Sequence, residues 1–386
     1  MPVTIALVGA FDDRTQALLD EQIARFEAAN PDVLIEVIWA PPEAARRQKE
    51  FAAQLAAGDN RNDIYVLNPT WLTEFASHGW LAPLDGYFCA GEAALGGMFP
   101  ASVQANKVDG RLMALPWTVD GGLLYYRRDL LPNPPTTWAE IQQSALDART
   151  AANLRAGYLW QGDAYEGLTC NTLEFVWAYG GDVFDEEGQV VFDSPATRAA
   201  LAHMRDLIAS GASPAEVATS REAATLAAFR SGEAALMRNW AYAWDRLQGE
   251  GAAVVGQVGI APLPASCLGG RSLALSAYSQ HPEQAFRFMA FLLGAEQQAQ
   301  LALRGVQPPA LESVYGDADL LAAKPVLAEL HAALAATRPR PQVRNYAPFS
   351  EIIFDEVHKL LLSQQGVEMT AANVQRRLEM FLAESP

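Results

Sequence analysis

The sequence has little of what builds disulfide-rich, metal-binding or membrane-spanning proteins. Among 386 residues there are 3 cysteines and 5 histidines. Three cysteines (Cys89, Cys170 and Cys267) allow at most one bridge and leave one thiol over, so they form no disulfide framework. The histidines are isolated from one another and from the cysteines, so we expect no structural zinc site. No stretch reaches the ~18 apolar residues of a membrane span.

Basic residues are scarce relative to acidic ones. Lysine and arginine total 28 against 45 aspartates and glutamates, which gives a formal net charge of −17. Such a surface repels phosphate backbones and anionic lipid headgroups, so we expect neither nucleic acid nor a membrane surface as a partner. No glycine-rich loop of the GxxxxGKS or GxGxxG form follows a predicted strand, so a nucleotide role has no support.

The N-terminus carries no basic segment followed by a long apolar run, and it starts with the strand-like residues 3–8. Two interpretations stay open at this point: a cytosolic protein, or an exported protein whose signal peptide is not part of this sequence.

Strand and helix patterns alternate along the chain, which predicts an α/β protein with largely parallel sheets. Thr137 and Glu140 form a capping box that starts a helix, and Ser194-Pro195 is a second helix start. The predicted strands are 3–8, 33–39, 63–67, 157–161, 234–237, 258–261 and 273–278. The predicted helices are 12–29, 44–57 and 167–179, a helix from 282 onward, and most of 317–386.

The hydrophobic content of 50% is enough for two cores. The strand–helix pattern restarts after Pro116, yet strand patterns return near residues 258 and 273, so the chain is expected to cross between two lobes more than once. Several crossings make a hinge on which two lobes close over a ligand. We predict a first lobe of residues 1–116 and 259–310 and a second of 117–258 and 311–386.

Residues 116–129 combine an apolar strand with an aromatic side chain (Trp117), a carboxylate (Asp120) and two arginines. Aromatic faces stack on the C–H faces of sugars, and a carboxylate accepts two hydroxyl hydrogen bonds. This mixture suits a binding site for a neutral, hydroxyl-rich solute.

Several segments in order resemble the extracellular solute-binding proteins of carbohydrate ABC importers, nearest to the group that binds trehalose, maltose, sucrose and glucosylglycerol. The segments are 56–64, 71–75, 79–85, 121–127, 161–170 (QGDAYEGLTC), 180–181, 237–244 and 278–283. The resemblance covers nearly the whole chain. It implies the type II periplasmic-binding-protein fold, in which two α/β lobes joined by a multi-strand hinge hold the ligand in a cleft.

The resemblance also implies a function without bond chemistry. A monomer, periplasmic or otherwise extracytoplasmic and either free or lipid-anchored, captures a small neutral sugar or glucoside. It then delivers the sugar to the transmembrane subunits of an ABC permease. No cofactor and no metal are implied.

Three candidate ligand contacts have short polar side chains, as the resemblance implies. Asp120 is expected to accept hydroxyl hydrogen bonds, although a turn aspartate is the alternative. Asn68 stands where relatives tend to carry an aspartate, and its alternative is a turn before Pro69. Asp13, preferred slightly over Asp12, is the third, with helix capping as its alternative.

The remaining side-chain contacts are aromatic or basic. Trp240 is the expected stacking platform, whereas Trp117 is either a platform or hinge core. Tyr165 lies beside the expected cleft or starts a helix. Arg340 aligns with an arginine at the cleft edge, with a solvated surface arginine as its alternative.

The sequence departs from the family pattern at Gly269-Gly270-Arg271. The family often has a tryptophan after the two glycines, which approach the sugar closely. Arg271 offers directional donors instead of a flat apolar face, which favours a smaller or more polar aglycone, such as glycerol, or a different second sugar.

Two other functions remain as alternatives. A glycosidase needs two carboxyl groups about 5–10 Å apart, and Asp13 and Asp120 supply the residue type. A metal-binding protein of the same fold would use Tyr125 and Tyr126, but strand alternation points these two to opposite faces.

Overall fold

The computed structural model describes residues 2–87, 95–305 and 307–384. The chain folds into two compact units. Unit 1 comprises residues 1–120, 269–328 and 342–345, and unit 2 comprises 121–268, 329–341 and 346–386. Within the described ranges, no helix is both long enough and apolar enough to cross a bilayer.

Strands are numbered in chain order. They are β1 (Val3–Gly9), β2 (Val33–Trp39), β3 (Ile64–Leu67), β4 (Lys107–Val108), β5 (Arg111–Leu112), β6 (Leu115–Gly121), β7 (Leu123–Arg127), β8 (Ala156–Leu159), β9 (Ala234–Asn239), β10 (Val258–Pro262), β11 (Ser266–Leu275) and β12 (Thr337–Arg338).

Helices are numbered in the same way. They are α1 (Asp13–Ala29), α2 (Ala44–Ala56), α3 (Leu72–Ser77), α4 (Pro100–Ala105), α5 (Trp138–Ala151), α6 (Glu166–Ala178), α7 (Pro195–Ala209), α8 (Glu222–Arg230), α9 (Ala243–Leu247), α10 (Pro282–Leu292), α11 (Ala295–Arg304), α12 (Ala318–Ala323), α13 (Leu327–Ala335), α14 (Tyr346–Leu361) and α15 (Val367–Glu384).

The sheet of unit 1 is mainly parallel. β1 pairs in parallel with β2 on one side and β3 on the other, and the second half of β11 adds antiparallel to β3. Parallel neighbours need helical crossovers, which α1 and α2 supply. The carboxyl ends of β1, β2 and β3 therefore lie at one edge of the sheet, and the segments that follow them start there.

The sheet of unit 2 has the order β10-β7-β9-β8 and is mainly antiparallel. β7 runs antiparallel to both β9 and β10, and only β8 and β9 are parallel. The prediction of largely parallel sheets is thus wrong for unit 2. The physical reason is that strand direction depends on the pairing partner: β7 pairs with β9 and β10, which come much later in the chain.

The divisions between units fall inside strands. The chain leaves unit 1 after Asp120, within β6, and returns at Gly269, within β11. The predicted crossing points lie at 116 and 258, and the predicted second lobe includes 311–328, whereas the structure has 311–328 in unit 1. A continuous strand gives no composition change at such a point, so sequence patterns do not locate it.

Two cysteines lie deep in unit 2. Cys170 and Cys267 are both buried free thiols, and the Cys267 Sγ lies 3.4 Å from the Cys170 carbonyl oxygen. Cys89, the third cysteine that could form a disulfide, lies outside the described residues.

A buried carboxylate joins α14 and α15. Glu356 has a side chain only 5% exposed, and it accepts hydrogen bonds from Lys359 at 2.9 Å and Arg377 at 2.7 Å. Gln365 and Asn373 donate to its other oxygen at 3.1 and 3.0 Å. Burial alone would raise the pKa of Glu356, but these four donors together lower it to about 2.

This lowered pKa predicts an acid-sensitive contribution to stability. A carboxyl whose folded pKa lies below its unfolded value stabilises the fold above about pH 4.5, and that contribution disappears as the pH falls towards 2. We expect Glu356→Gln to lose about 2–3 kcal/mol at pH 7, with a difference from the parent protein that shrinks below pH 4.5. Urea unfolding followed by circular dichroism from pH 7 to 3 measures this, with the exposed Glu351→Gln on the same helix as control. A pH-independent difference would contradict the assignment.

Candidate functional site

The candidate residues are divided between the units. Unit 1 holds Asp13, Asn68, Trp117, Asp120, Gly269, Gly270 and Arg271, and unit 2 holds Tyr165, Trp240 and Arg340.

An acidic pair follows β1 in unit 1. Asp12, not Asp13, is the N-cap of α1, and its carboxylate accepts from the Thr15 backbone N–H at 2.8 Å and from the Thr15 hydroxyl at 2.6 Å. Burial opposes ionisation, but these hydrogen bonds and nearby Arg271 hold the pKa of Asp12 below its ordinary value. Asp13 is the exposed first residue of the helix. The capping alternative therefore applies to Asp12, and a ligand contact by Asp13 stays a prediction.

Asn68 follows β3 at the same edge of the sheet. Its side-chain oxygen accepts from the Thr70 backbone N–H at 3.2 Å and from the Thr70 hydroxyl at 3.1 Å, which caps the short 3-10 helix Pro69–Trp71. This is the turn role given as the alternative. The side chain is partly exposed, so a sugar contact remains a prediction.

Trp117 lies in the core of unit 1. It is 1% exposed and belongs to the cluster formed by α1, α10 and the sheet. Its ring meets Phe11 edge-on at 6.3 Å between centroids, and its carbonyl accepts from Gln298. Of the two roles considered for Trp117, the structure shows core packing, while a direct sugar contact stays untested.

Arginine and aspartate side chains come together where β6 and β11 run side by side in unit 1. The backbone N–H of Arg271 donates to the Thr118 hydroxyl at 3.1 Å. Burial lowers the pKa of Arg271, while the carboxylates of Asp12 and Asp120 act in the opposite direction. Among the described residues, the enclosed Nη1 of Arg271 has no hydrogen-bond partner. A second guanidinium, that of Arg47, lies nearby. Burial and, to a smaller extent, the positive charge of Arg271 lower the pKa of Arg47 to about 10.

Trp240 directly follows β9 in unit 2 and is held on three sides. The Arg238 guanidinium lies 4.1 Å from its ring centroid, and its indole N–H donates to Glu222 at 3.2 Å. Its carbonyl accepts from the Tyr125 hydroxyl at 2.8 Å. Trp240 is partly exposed. It is therefore held in one position by its neighbours while part of its surface faces solvent. The bond from Tyr125 also gives that tyrosine a structural role.

Tyr165 and Arg340 have clear partners inside unit 2. Tyr165 is the N-cap of α6, and its ring centroid lies 4.6 Å from the Arg221 guanidinium. Arg340 is 7% exposed, not a solvated surface arginine, and it donates to Glu166 at 2.6 Å. Tyr346 and Ser350 also donate to Glu166. Both candidates thus carry packing roles, and their ligand contacts remain predictions.

A separate cavity in unit 2 holds none of the candidate residues. It has a volume of about 300 Å³ between β8 and α8. The charged side chains in its lining pair with one another, because Arg155 contacts both Glu233 and Glu216. Charge pairing within the wall leaves this cavity less suited to polar ligand recognition than the Arg271 region.

No group of three or more histidine, cysteine, aspartate or glutamate side chains that could hold a metal ion occurs in the part of the chain that the structure describes.

Comparison with known proteins gives consistent results over most of the chain. The family described as bacterial extracellular solute-binding protein matches residues 12–299. A Deinococcus radiodurans protein named "Probable ABC transporter-binding protein" is 33% identical over 335 residues, which are 82% of this chain and 79% of that protein.

Solved structures extend the similarity to the fold. The maltose-bound MalE3 of T. maritima is 35% identical, with a TM-score of 0.86 over 98% of this chain and 99% of that one. The GacH receptor of Streptomyces glaucescens, 23% identical, has a TM-score of 0.85 over 99% of both chains. These matches confirm the predicted two-lobed α/β fold. The chain belongs to the bacterial extracellular solute-binding proteins, the substrate-binding components of ABC sugar importers.

Proposed function

We propose that this protein captures a neutral α-glucoside of one or two rings, such as glucosylglycerol, sucrose, trehalose or maltose. It would hold the sugar by closure of its two units and release it unaltered to the permease subunits of an ABC importer. The 35% identical T. maritima protein was solved with maltose bound, which supports a glucoside as ligand. The relatives are transport proteins rather than enzymes, which supports binding without hydrolysis.

The balance of charge around Arg271 carries the proposal of a neutral ligand. Two guanidinium groups, Arg47 and Arg271, are matched by two carboxylates, Asp12 and Asp120, which attract Arg271. Such a group presents hydrogen-bond donors and acceptors with no formal net charge. Neutral hydroxyls can both donate and accept, so they complement this group better than an anion or a cation does.

Trp240 would supply the apolar contact. One face of its indole is covered by Arg238, and the N–H edge is tied to Glu222. The exposed surface is then available to stack on the C–H face of a pyranose ring. A ring already fixed by its neighbours loses little conformational entropy on binding, which favours affinity.

Thermal-shift measurements with glucosylglycerol, sucrose, trehalose, maltose and glucose test the proposal. A ligand present at 100 times its Kd stabilises the folded protein by about 2.7 kcal/mol, so at least one sugar is expected to raise the Tm. Small-angle scattering with that sugar should show a smaller radius of gyration, as expected for closure. A panel without any Tm shift would overturn the proposal.

Substitution of Trp240 tests the stacking role. We expect Trp240→Ala to weaken binding of that sugar at least about tenfold, measured by isothermal titration calorimetry, with Trp240→Phe keeping most of the affinity. Tyr179→Ala, a partly exposed aromatic of the same unit, should bind as the parent protein does. If Trp240→Ala and Trp240→Phe both lower the Tm of the empty protein without changing the Kd, Trp240 serves packing instead.

A further inference from the structure

Trp39 is a large aromatic side chain left in solvent at the edge where ligands of α/β sheets bind. It is the last residue of β2 and is 56% exposed. It lies opposite Gly9, the last residue of β1, so both strands end together. In open α/β sheets, ligands bind outside the carboxyl ends of the strands. Asp12 follows β1 and Asn68 follows β3 at this same edge.

Aromatic contacts hold the Trp39 ring in place. Phe11 meets Trp39 edge-on, with centroids 6.1 Å apart and planes at 80°, and it also contacts buried Trp117. Gly9 makes this possible, because a Cβ there would lie 2.6 Å from the Phe11 ring. The indole is thus anchored to the core through one ring while much of its own surface stays exposed.

Hydrogen bonds fix the segment that follows Trp39. The Ala40 N–H donates to the Gly9 carbonyl at 2.8 Å. Arg47, on α2, donates to the carbonyls of Pro41 and Pro42 at 2.8 and 3.0 Å. An exposed tryptophan on a flexible loop would lose entropy on binding a ligand, but one between two fixed segments is already ordered.

The same arginine connects Trp39 to the polar group described above. Arg47 pins the segment after Trp39 and is also an electrostatic neighbour of Arg271. Arg271 in turn interacts with Asp12, the residue after Phe11. Trp39 therefore belongs to the neighbourhood in which donors and acceptors for hydroxyl groups are gathered.

We propose that Trp39 is a second stacking platform for the glycoside, which supplies in unit 1 the aromatic face that Arg271 does not offer. The ligand class is a neutral glycoside whose sugar ring has an apolar C–H face for Trp39 and hydroxyl oxygens for Arg271. This inference rests on the proposed function. An aromatic side chain can bury about 150–250 Å² of surface. A sugar ring is of suitable size to cover such a face, and it dissociates again on release.

Matched variants of β2 test the inference by calorimetry with the sugar found in the thermal-shift panel. Trp39→Ala should weaken binding about three- to tenfold, while Trp39→Phe keeps most of the affinity. Leu34→Ala, at the opposite end of the same strand and 45% exposed, is the control and should bind within twofold of the parent protein. Because Trp39 is mostly in solvent, the Tm of empty Trp39→Ala should be unchanged.

A spectroscopic readout separates contact from general destabilisation. In protein labelled with 5-fluorotryptophan, the fluorine resonance missing from Trp39→Phe identifies Trp39, and the sugar should shift that resonance. If the parent protein binds a sugar but Trp39→Ala binds it within twofold and the resonance does not move, the inference fails and the proposed function stands. If the parent protein binds no sugar of the panel, the proposed function fails, and the inference with it.

Discussion

Replacing Arg238 with methionine is expected to lower the free energy of unfolding by about 3–5 kcal/mol, because it leaves a buried carboxylate without its counter-ion. The side chains of Arg238 and Glu174 are both 0% exposed. Their two hydrogen bonds measure 2.7 Å from Nη2 to Oε1 and 3.1 Å from Nε to Oε2. Burial opposes the charge on Arg238, but Glu174 raises the pKa of that guanidinium above its ordinary value. Urea unfolding at pH 7 measures the loss.

Two further variants distinguish a broken ion pair from lost packing. Arg155→Met removes a 60% exposed arginine that pairs with Glu233 and Glu216, and it should cost at most about 1 kcal/mol. The double variant Arg238→Met with Glu174→Leu should recover part of the lost stability, because apolar residues of similar volume often replace a buried pair without loss. Recovery is partial because the buried Cys267 backbone N–H then loses its acceptor. A loss below about 1 kcal/mol in Arg238→Met, or no recovery in the double variant, would contradict this account.

The same pair links stability to the site. Arg238 covers one face of Trp240, so Arg238→Met should also release the indole and weaken sugar binding. Glu174 additionally accepts from the Cys267 backbone N–H at 3.2 Å, so the pair holds β11 as well as β9. A buried charge pair of this kind is retained at a cost in desolvation, and in the proposed function its role would be to orient Trp240.

Local signals in the sequence predicted many elements of the fold correctly. β2 has the predicted bounds, because Val33–Trp39 is rich in β-branched residues, is apolar except at Glu36, and lies between Pro31 and Pro41. The capping box of Thr137 and Glu140 and the N-cap of Ser194 are confirmed in the structure. These signals depend on residues within one helical turn of one another, so they act before tertiary contacts form.

Elements that depend on distant partners were harder to predict. The strand predicted at 273–278 is wrong at both ends, because β11 spans Ser266–Leu275. Gly269 and Gly270 have low strand propensity, and only pairing with distant strands keeps them within β11. The antiparallel sheet of unit 2 was missed for the same reason, since strand direction depends on the partner and not on the strand itself.

The site shows the same division between local and distant information. The resemblance to sugar-binding proteins named Asp120 and Arg271 separately as ligand contacts, and the structure brings their charges into interaction. It could not show that Arg340 is buried against Glu166, because the two are 174 positions apart. Trp39 was read only as the end of a strand, since exposure of one tryptophan at a sheet edge depends on neighbours that the sequence does not specify.

The second large effect is expected at Gly270, where Gly270→Ala should cost about 3 kcal/mol or more and weaken sugar binding. Gly270 has φ +118°, beyond the left-handed helical region that other residues occasionally occupy. A Cβ at this position would lie 2.2 Å from the Thr118 carbonyl oxygen. Both the backbone strain and the overpacking contribute about 1–3 kcal/mol each, and a backbone atom cannot move aside as a side-chain tip can.

Gly79→Ala separates these two contributions. Gly79 is in the same unit with φ +70°, and a Cβ there would have no neighbour within 4 Å. Gly79→Ala should lower the free energy of unfolding by only about 1 kcal/mol, the cost of a positive φ. It should bind sugar as the parent protein does. Gly270→Ala, in contrast, must push β11 away from β6. That movement would break the hydrogen bond from the Arg271 backbone N–H to the Thr118 hydroxyl. Equal losses in the two variants, measured by urea unfolding, would show that φ alone matters, and the close approach of the two strands at Gly270 would then have no part in holding Arg271.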